Sequence, residues 1–290
     1  MALACIDVGS NTTRLLVADA PEGRLRELLT QRVFTRIGKS MGKGNRIPPE
    51  KVAECAEVIA RQASLAADAG AETISLVGTA AVRDAANRDE LAAASERAAG
   101  IHMRVLSEEE EAKLAFVGAT KTLGAPVEGT VAVVDVGGGS TEIAIGTVAE
   151  GVTWWASFRI GSGFLADSYL RTDPPAASEL HAVRAHVAGV FEGLERPSSD
   201  RVVAVGGSAT SLRRLVGTEL AYESLERSVR ILAGAPADEV AARFELDPER
   251  VRLLPAGVLI FEALTSVLGH PLMIGKGGLR EGIILEQLAP

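Results

Sequence analysis

The stretch VAVVDVGGGSTEIAIG, residues 131–146, places an aspartate at the end of an apolar run, three glycines after it, two hydroxyls, and a glutamate seven residues on. A carboxylate alone repels phosphate. It can instead hold a divalent ion that phosphate shares, and Mg2+ is commonly bound by one or two carboxylates plus substrate oxygens. Glycines let backbone N–H groups approach an anion with no Cβ in the way, and hydroxyls add donors. Asp135 and Glu142 are therefore candidate ligands for Mg2+ or Mn2+, and Gly137, Gly138, Gly139, Ser140 and Thr141 form a candidate phosphate cradle. A single copy of such a motif reads equally well as a plain glycine hairpin.

A second copy decides between the two readings. CIDVGSNTTRLLVAD (5–19) repeats the order of apolar strand, Asp, Val, Gly, small or polar residues, Thr and second strand, and Asp7 lies 128 residues before Asp135 (135 − 7). It adds Asp7 to the metal candidates and Gly9, Ser10, Asn11 and Thr12 to the phosphate candidates. SLVGTAAVRDA (75–85) and VAVGGSATSLRRL (203–215) are strands that end in Gly and open into helices, with Gly78 and Gly206 again 128 apart (206 − 78). Helix N-termini favour anions, which brings in Gly206, Gly207 and Ser208. Arg-Ile-Gly recurs at 36 and 159. Three motifs in one order at nearly one offset mark an internal duplication.

The elements that must position these residues follow from periodicity and turn signals. Strands are expected near 3–8, 13–19 and 26–37, helices at 49–69, 80–86 and 90–99, strands at 73–78 and 101–106, and an acidic helix over 107–122. The second copy has strands at 131–136, 141–147, 152–160 and 201–205 and helices at 162–170, 178–195 and after Gly207. Residues 216–250 are polar and helical but do not register against the first copy. A long buried helix near 252–269 and an amphipathic closing helix near 279–288 end the pattern. The fold class is α/β: domain I over 1–122 and domain II over 123–290, with a cleft between them and the closing helix able to pack back on domain I.

At 290 residues the chain exceeds one typical core, and its formal charge of −8 with a pI near 5.2 argues against general nucleic-acid binding. Against that background the loop LLTQRVFTRIGKSMGKGNRIPP (28–49) carries Arg32, Arg36, Lys39, Lys43 and Arg46 and no acid. Arg36, Lys39 and Lys43 are its candidate contacts for a polyanion. Cys5 and Cys55 read as reduced, buried thiols, and His181 with His186 is poor zinc spacing. The apolar stretch LLPAGVLIFEALTSVLG contains Pro255 and Glu262, which argues against a membrane span. The N-terminus has neither a basic segment nor a cleavage pattern, so a cytoplasmic protein is expected.

Taken together, Asp7-Val-Gly-Ser-Asn11, Gly78 through Arg83 and Asp84, Ser107 with Glu111 and Ala112, Asp135 through Glu142, Gly206-Gly-Ser-Ala-Thr210 and Gly278-Leu-Arg-Glu-Gly282 resemble the exopolyphosphatase/guanosine pentaphosphate phosphohydrolase family. The resemblance spans nearly the whole chain. It implies duplicated actin-like domains of the sugar-kinase, Hsp70-like and ribonuclease H-like kind, in a short form without extra C-terminal helical domains. It also implies Mg2+-dependent release of terminal phosphate from polyphosphate or guanosine pentaphosphate, a link to the stringent response, and a homodimer. Glu111 matches the family's catalytic glutamate, whereas Glu108 to Glu110 read as a solvated helix start in which Ser107 and Glu110 form a capping box. Arg83 is the candidate clamp on the transferring phosphoryl group, since a planar guanidinium can bond two oxygens. The chain departs from the family pattern at Glu108 after Ser107 and at Gly275-Lys276. An actin-like kinase and a non-catalytic binder of guanosine tetra- or pentaphosphate are the rival classes. A kinase needs an adenosine pocket that no motif supplies, and the retained carboxylates count against a mere binder.

Overall fold

The computed structural model describes residues 1–42, 44–124 and 127–288. The chain divides into two compact units, 1–122 together with 277–290, and 123–276.

In unit 1 the chain runs β1 (Ala2–Val8), β2 (Thr13–Asp19), β3 (Arg26–Val33), α1 (Ile37–Ser40), α2 (Pro49–Asp68), β4 (Ala71–Gly78), α3 (Ala80–Asp84), α4 (Arg88–Ala99), β5 (Met103–Val105) and α5 (Glu108–Lys121). The sheet order is β3-β2-β1-β4-β5, with β1 antiparallel to β2 and parallel to β4. Both faces of β1 are covered, which is why it reads as an unbroken apolar run. Ala4, Ile6 and Val8 pack with Val52, Cys55 and Ile59 of α2, while Leu3 and Cys5 pack on the other face with Leu114 of α5.

Unit 2 contains β6 (Val131–Val136), β7 (Thr141–Thr147), β8 (Gly151–Phe158), α6 (Ser162–Tyr169), α7 (Ala177–Phe191), β9 (Arg201–Val205), α8 (Gly206–Val216), β10 (Glu219–Leu220), α9 (Tyr222–Gly234), α10 (Ala237–Phe244), α11 (Pro248–Val251), α12 (Leu254–Leu268) and β11 (Leu272–Ile274). Its sheet order is β10-β11-β9-β6-β7-β8. The central run β9-β6-β7-β8 repeats β4-β1-β2-β3 in order and direction. This is a duplicated α/β fold. The stretch Pro248–Leu268 is long and apolar enough to cross a bilayer, but most of it is buried, and α12 lies in the unit 2 core with Phe261 and Leu264 fully covered.

The last helix, α13 (Leu279–Gln287), groups with unit 1, the packing back on domain I that the sequence allows for the closing helix. It packs on α5 through glycines. A Cβ on Gly282 would run into the Leu114 carbonyl, and one on Gly118 would run into the Gly278 carbonyl.

Two expectations change for physical reasons. The third strand stops at Val33 instead of 37, because Arg36 turns into the left-handed region at φ 50 and its N–H, with that of Gly38, bonds loop carbonyls instead of a neighbouring strand. The helix after Gly78 spans only Ala80–Asp84. It is too short to act as an anion-binding helix N-terminus, unlike α8.

Candidate active site

Each unit presents one strand-turn-strand motif. In unit 1 the Gly9 N–H bonds the Thr12 carbonyl at 3.0 Å, and in unit 2 the Gly137 N–H bonds Ser140 in the same way at 3.0 Å. Those two N–H groups close the turns and are not the phosphate donors the sequence suggested. The Arg-Ile-Gly repeats lie behind the turns. Arg36 and Gly38 N–H groups bond the carbonyls of Asn11 and Ser10, while Ser162 and Phe164 N–H groups bond those of Gly137 and Gly138. Thr141, fully buried, gives its hydroxyl to the Ile160 carbonyl at 2.6 Å, so its side chain is a strut. With carbonyls tied back, the N–H groups of Ser10, Asn11 and Thr12 and of Gly138, Gly139 and Ser140 remain as the cradle candidates.

Beyond the turns the copies diverge. In unit 2, Asp135 and Glu142 are direct cross-strand partners on β6 and β7. Directly opposed residues share one face of the sheet, so like charges there repel unless a cation intervenes. Glu142 is 5% exposed and accepts a hydrogen bond from Ser157 Oγ of β8 at 3.1 Å. The Asp135 carboxylate lies against the Cα of Gly206, whose φ of +88 and lack of a Cβ permit that approach. Gly207 is covered in turn by the buried Arg250 guanidinium, 2.8–3.1 Å from where a Cβ would stand. An acid pair and a guanidinium thus meet at the N-terminus of the 11-residue α8, where backbone N–H groups favour an anion. The Ser208 hydroxyl is fully buried beside Gly257 and has no hydrogen-bond partner among the described residues.

In unit 1 the residue opposite Asp7 is Arg14. Arg280 of α13 donates to the Leu15 carbonyl at 3.0 Å and stands 3.8 Å from Glu281. The neighbouring Arg280 charge and burial hold the Arg14 guanidinium down at about 10. Burial pushes the Asp7 carboxyl up, against the pull of Arg14 and Arg280. Asp7 Oδ1 and Asn11 Nδ2 are both buried without hydrogen-bond partners among the described residues, as expected where water or a ligand completes a site. The cross-strand partner of Asp7 is a cation, Arg14, whereas that of Asp135 is a second acid, Glu142.

Glu111 and Arg83 come together as the sequence suggested, but in contact with each other. Glu111 is 6% exposed in the first turn of α5 and forms an ion pair with Arg83 Nη1, which also donates to the Leu106 carbonyl at 2.9 Å. Arg83 Nε is buried without a hydrogen-bond partner among the described residues. Ser107 and Glu110 form the capping box, which explains Glu110 without chemistry.

Of the basic loop, Arg36 and Lys39 flank Ile37 and Gly38, the latter bonded to the Ser10 carbonyl at 2.8 Å. Arg46 is drawn aside by Glu90 at 2.7 Å, and Lys43 lies outside the described residues. Among the described residues no group of three or more His, Cys, Asp or Glu side chains gathers to hold a metal. An ion held by Asp135 and Glu142 would take its remaining ligands from water and substrate oxygens, a donor set that suits Mg2+ or Mn2+ and not zinc. Sequence reading missed Arg14, Arg250 and Ser157. Arg14 was within reach, since it follows Asp7 by the same seven residues that separate Glu142 from Asp135. Arg250 lies at the end of the unregistered segment.

The sequence profile of the Ppx/GppA phosphatase family matches residues 16–289. Exopolyphosphatase 2 of Mycobacterium tuberculosis is 29% identical over 312 residues, covering 99% of this chain and 97% of that protein. The guanosine-5'-triphosphate,3'-diphosphate pyrophosphatase of Aeromonas hydrophila is 27% identical, covering 97% of this chain but 58% of its own length. The PPX-GPPA enzyme of Aquifex aeolicus superposes with a TM-score of 0.80 at 27% identity over 99% of both chains.

Proposed function

The chain belongs to the Ppx/GppA phosphatase family, and we propose that it is an exopolyphosphatase that releases terminal phosphate from inorganic polyphosphate with Mg2+ or Mn2+. The observation that carries this reading is the acid pair Asp135–Glu142 beside the N-terminus of α8, which suits a divalent ion and a phosphate side by side. A bound Mg2+ would offset negative charge on the phosphoryl oxygens. Asp135 and Glu142 hold the ion, and the free N–H groups of α8 and of the turn orient phosphate oxygens. Glu111 accepts the proton of the attacking water, and its ion pair with Arg83 fixes the carboxylate in the first turn of α5. Arg36, Lys39 and Lys43 are proposed as contacts for the rest of the polyanion.

Guanosine pentaphosphate is the alternative substrate. The 29% identity to the mycobacterial exopolyphosphatase supports polyphosphate first. The test is phosphate release from polyphosphates of several lengths, guanosine pentaphosphate and ATP, each with Mg2+ and with excess EDTA. Turnover of polyphosphate that EDTA abolishes and Mg2+ restores is expected. Full activity in EDTA would remove the metal, and preference for ATP would favour a nucleotidase or kinase ancestry.

A further inference from the structure

We infer that Ser157 is a positioning residue for the cation, acting through Glu142. The inference rests on the metal reading above. Asp135, Glu142 and Ser157 stand opposite one another on β6, β7 and β8, a single row on one sheet face. Ser157 donates its hydroxyl hydrogen to Glu142 Oε1 at 3.1 Å. Ser157 is a fixed donor to one oxygen of the buried Glu142 carboxylate and so biases which way its two oxygens face. The donor is useful only if one orientation matters, and it also lowers the cost of keeping a buried carboxylate ionised beside Asp135. A hydroxyl does this without the full charge of an arginine or lysine, which would compete with a metal for the same carboxylate. Groups that orient metal ligands in this way commonly change affinity by about 10–100-fold when removed.

The row in unit 1 supports the reading by contrast. There the third-strand position opposite Arg14 is Arg32, and no acid needs orienting. A serine spacer of β8 with no task would tolerate any β-forming residue.

The experiment measures Mn2+ binding to the full chain by electron paramagnetic resonance, without substrate, in wild type, Glu142→Gln, Ser157→Ala, Ser157→Val and Ser157→Thr. Val and Thr match in shape and both favour strands, so the pair isolates the hydroxyl even if the alanine variant folds poorly. Expected are about 10–100-fold weaker Mn2+ binding in Ser157→Ala and Ser157→Val and recovery in Ser157→Thr. In kinetics the Mn2+ concentration for half-activity should rise while kcat at saturating Mn2+ stays near wild type. Wild-type Mn2+ affinity in Ser157→Val, with Glu142→Gln impaired, would overturn the role of Ser157 alone. Wild-type affinity in Glu142→Gln would overturn the metal assignment and this inference together.

Discussion

Across the first sheet, Val77, Asp7, Arg14 and Arg32 lie opposite one another on four neighbouring strands, and across the second, Val205, Asp135, Glu142 and Ser157 hold the equivalent places. The backbone is the same: strand order, direction and turn hydrogen bond repeat. The side chains carry opposite charge. One acid and two guanidiniums make the first row attractive to anions, whereas two acids and a hydroxyl make the second attractive to a cation. On the proposed function, the residue seven positions after the aspartate, arginine in one copy and glutamate in the other, divides the labour between the copies. The proposed proton acceptor, Glu111, belongs to the copy whose row pairs Asp7 with Arg14.

If that division holds, the largest single loss should come from a residue that leaves metal binding untouched. Glu111→Gln should lower kcat by about 10²–10⁴-fold, the usual contribution of a general base, with Mn2+ affinity unchanged. Glu108→Gln and Glu109→Gln should be mild, and Glu110→Gln, which keeps the capping acceptor, should lose only its exposed ion pair with Arg104. Because Glu111 neutralises Arg83, a melting curve must accompany the kinetics. A dead Glu110→Gln with an active Glu111→Gln would break the assignment.

The next effect is on stability. Gly282→Ala should be destabilising by about 1–3 kcal/mol, the cost of overpacking, since the added methyl meets the Leu114 carbonyl. Pushing α13 off α5 disturbs both Arg280 and the helix that carries Glu111, so Tm and kcat should fall together. A fall in Tm with kcat intact would show that α13 merely closes the core.

The smallest effect is a control carboxylate in unit 2 that owes its acidity to hydrogen bonds and not to a cation. Glu179 accepts from the Thr172 hydroxyl and from the N–H groups of Ala176, Arg171 and Thr172, which hold its carboxyl down at about 2. Its folded pKa lies below the unfolded value of about 4.3, so its stabilisation is present above that value and fades as pH falls toward about 2. The Tm difference between wild type and Glu179→Gln should therefore be visible at pH 7, shrink below about pH 4, and ignore Mn2+. A Tm gap independent of pH would contradict it.

Much of this was legible before any coordinates. The duplication, the two turns, the capping box at Ser107 and the candidate acids followed from motif spacing. What was not legible depended on contacts distant in sequence. Arg36 reads as a free base on a polar loop, yet its N–H supports Asn11 from behind; only the fold reveals that. Gly9 and Gly137 read as phosphate donors because glycine is common to both roles, and their N–H groups turn out to close the turns. Ser208 reads as a hydroxyl beside two glycines, but α12 buries it. Arg250 reaches Gly207 from 43 residues away (250 − 207), in a segment with no counterpart in the first copy to align it.

The central claim is that the cation belongs to the Asp135–Glu142 row and not to the Asp7–Arg14 row. Titrating Mn2+ into wild type, Asp7→Asn and Glu142→Gln by calorimetry compares the rows directly. The account predicts that Asp7→Asn binds Mn2+ as wild type does and that Glu142→Gln loses it; Mn2+ binding lost in Asp7→Asn and retained in Glu142→Gln would contradict it.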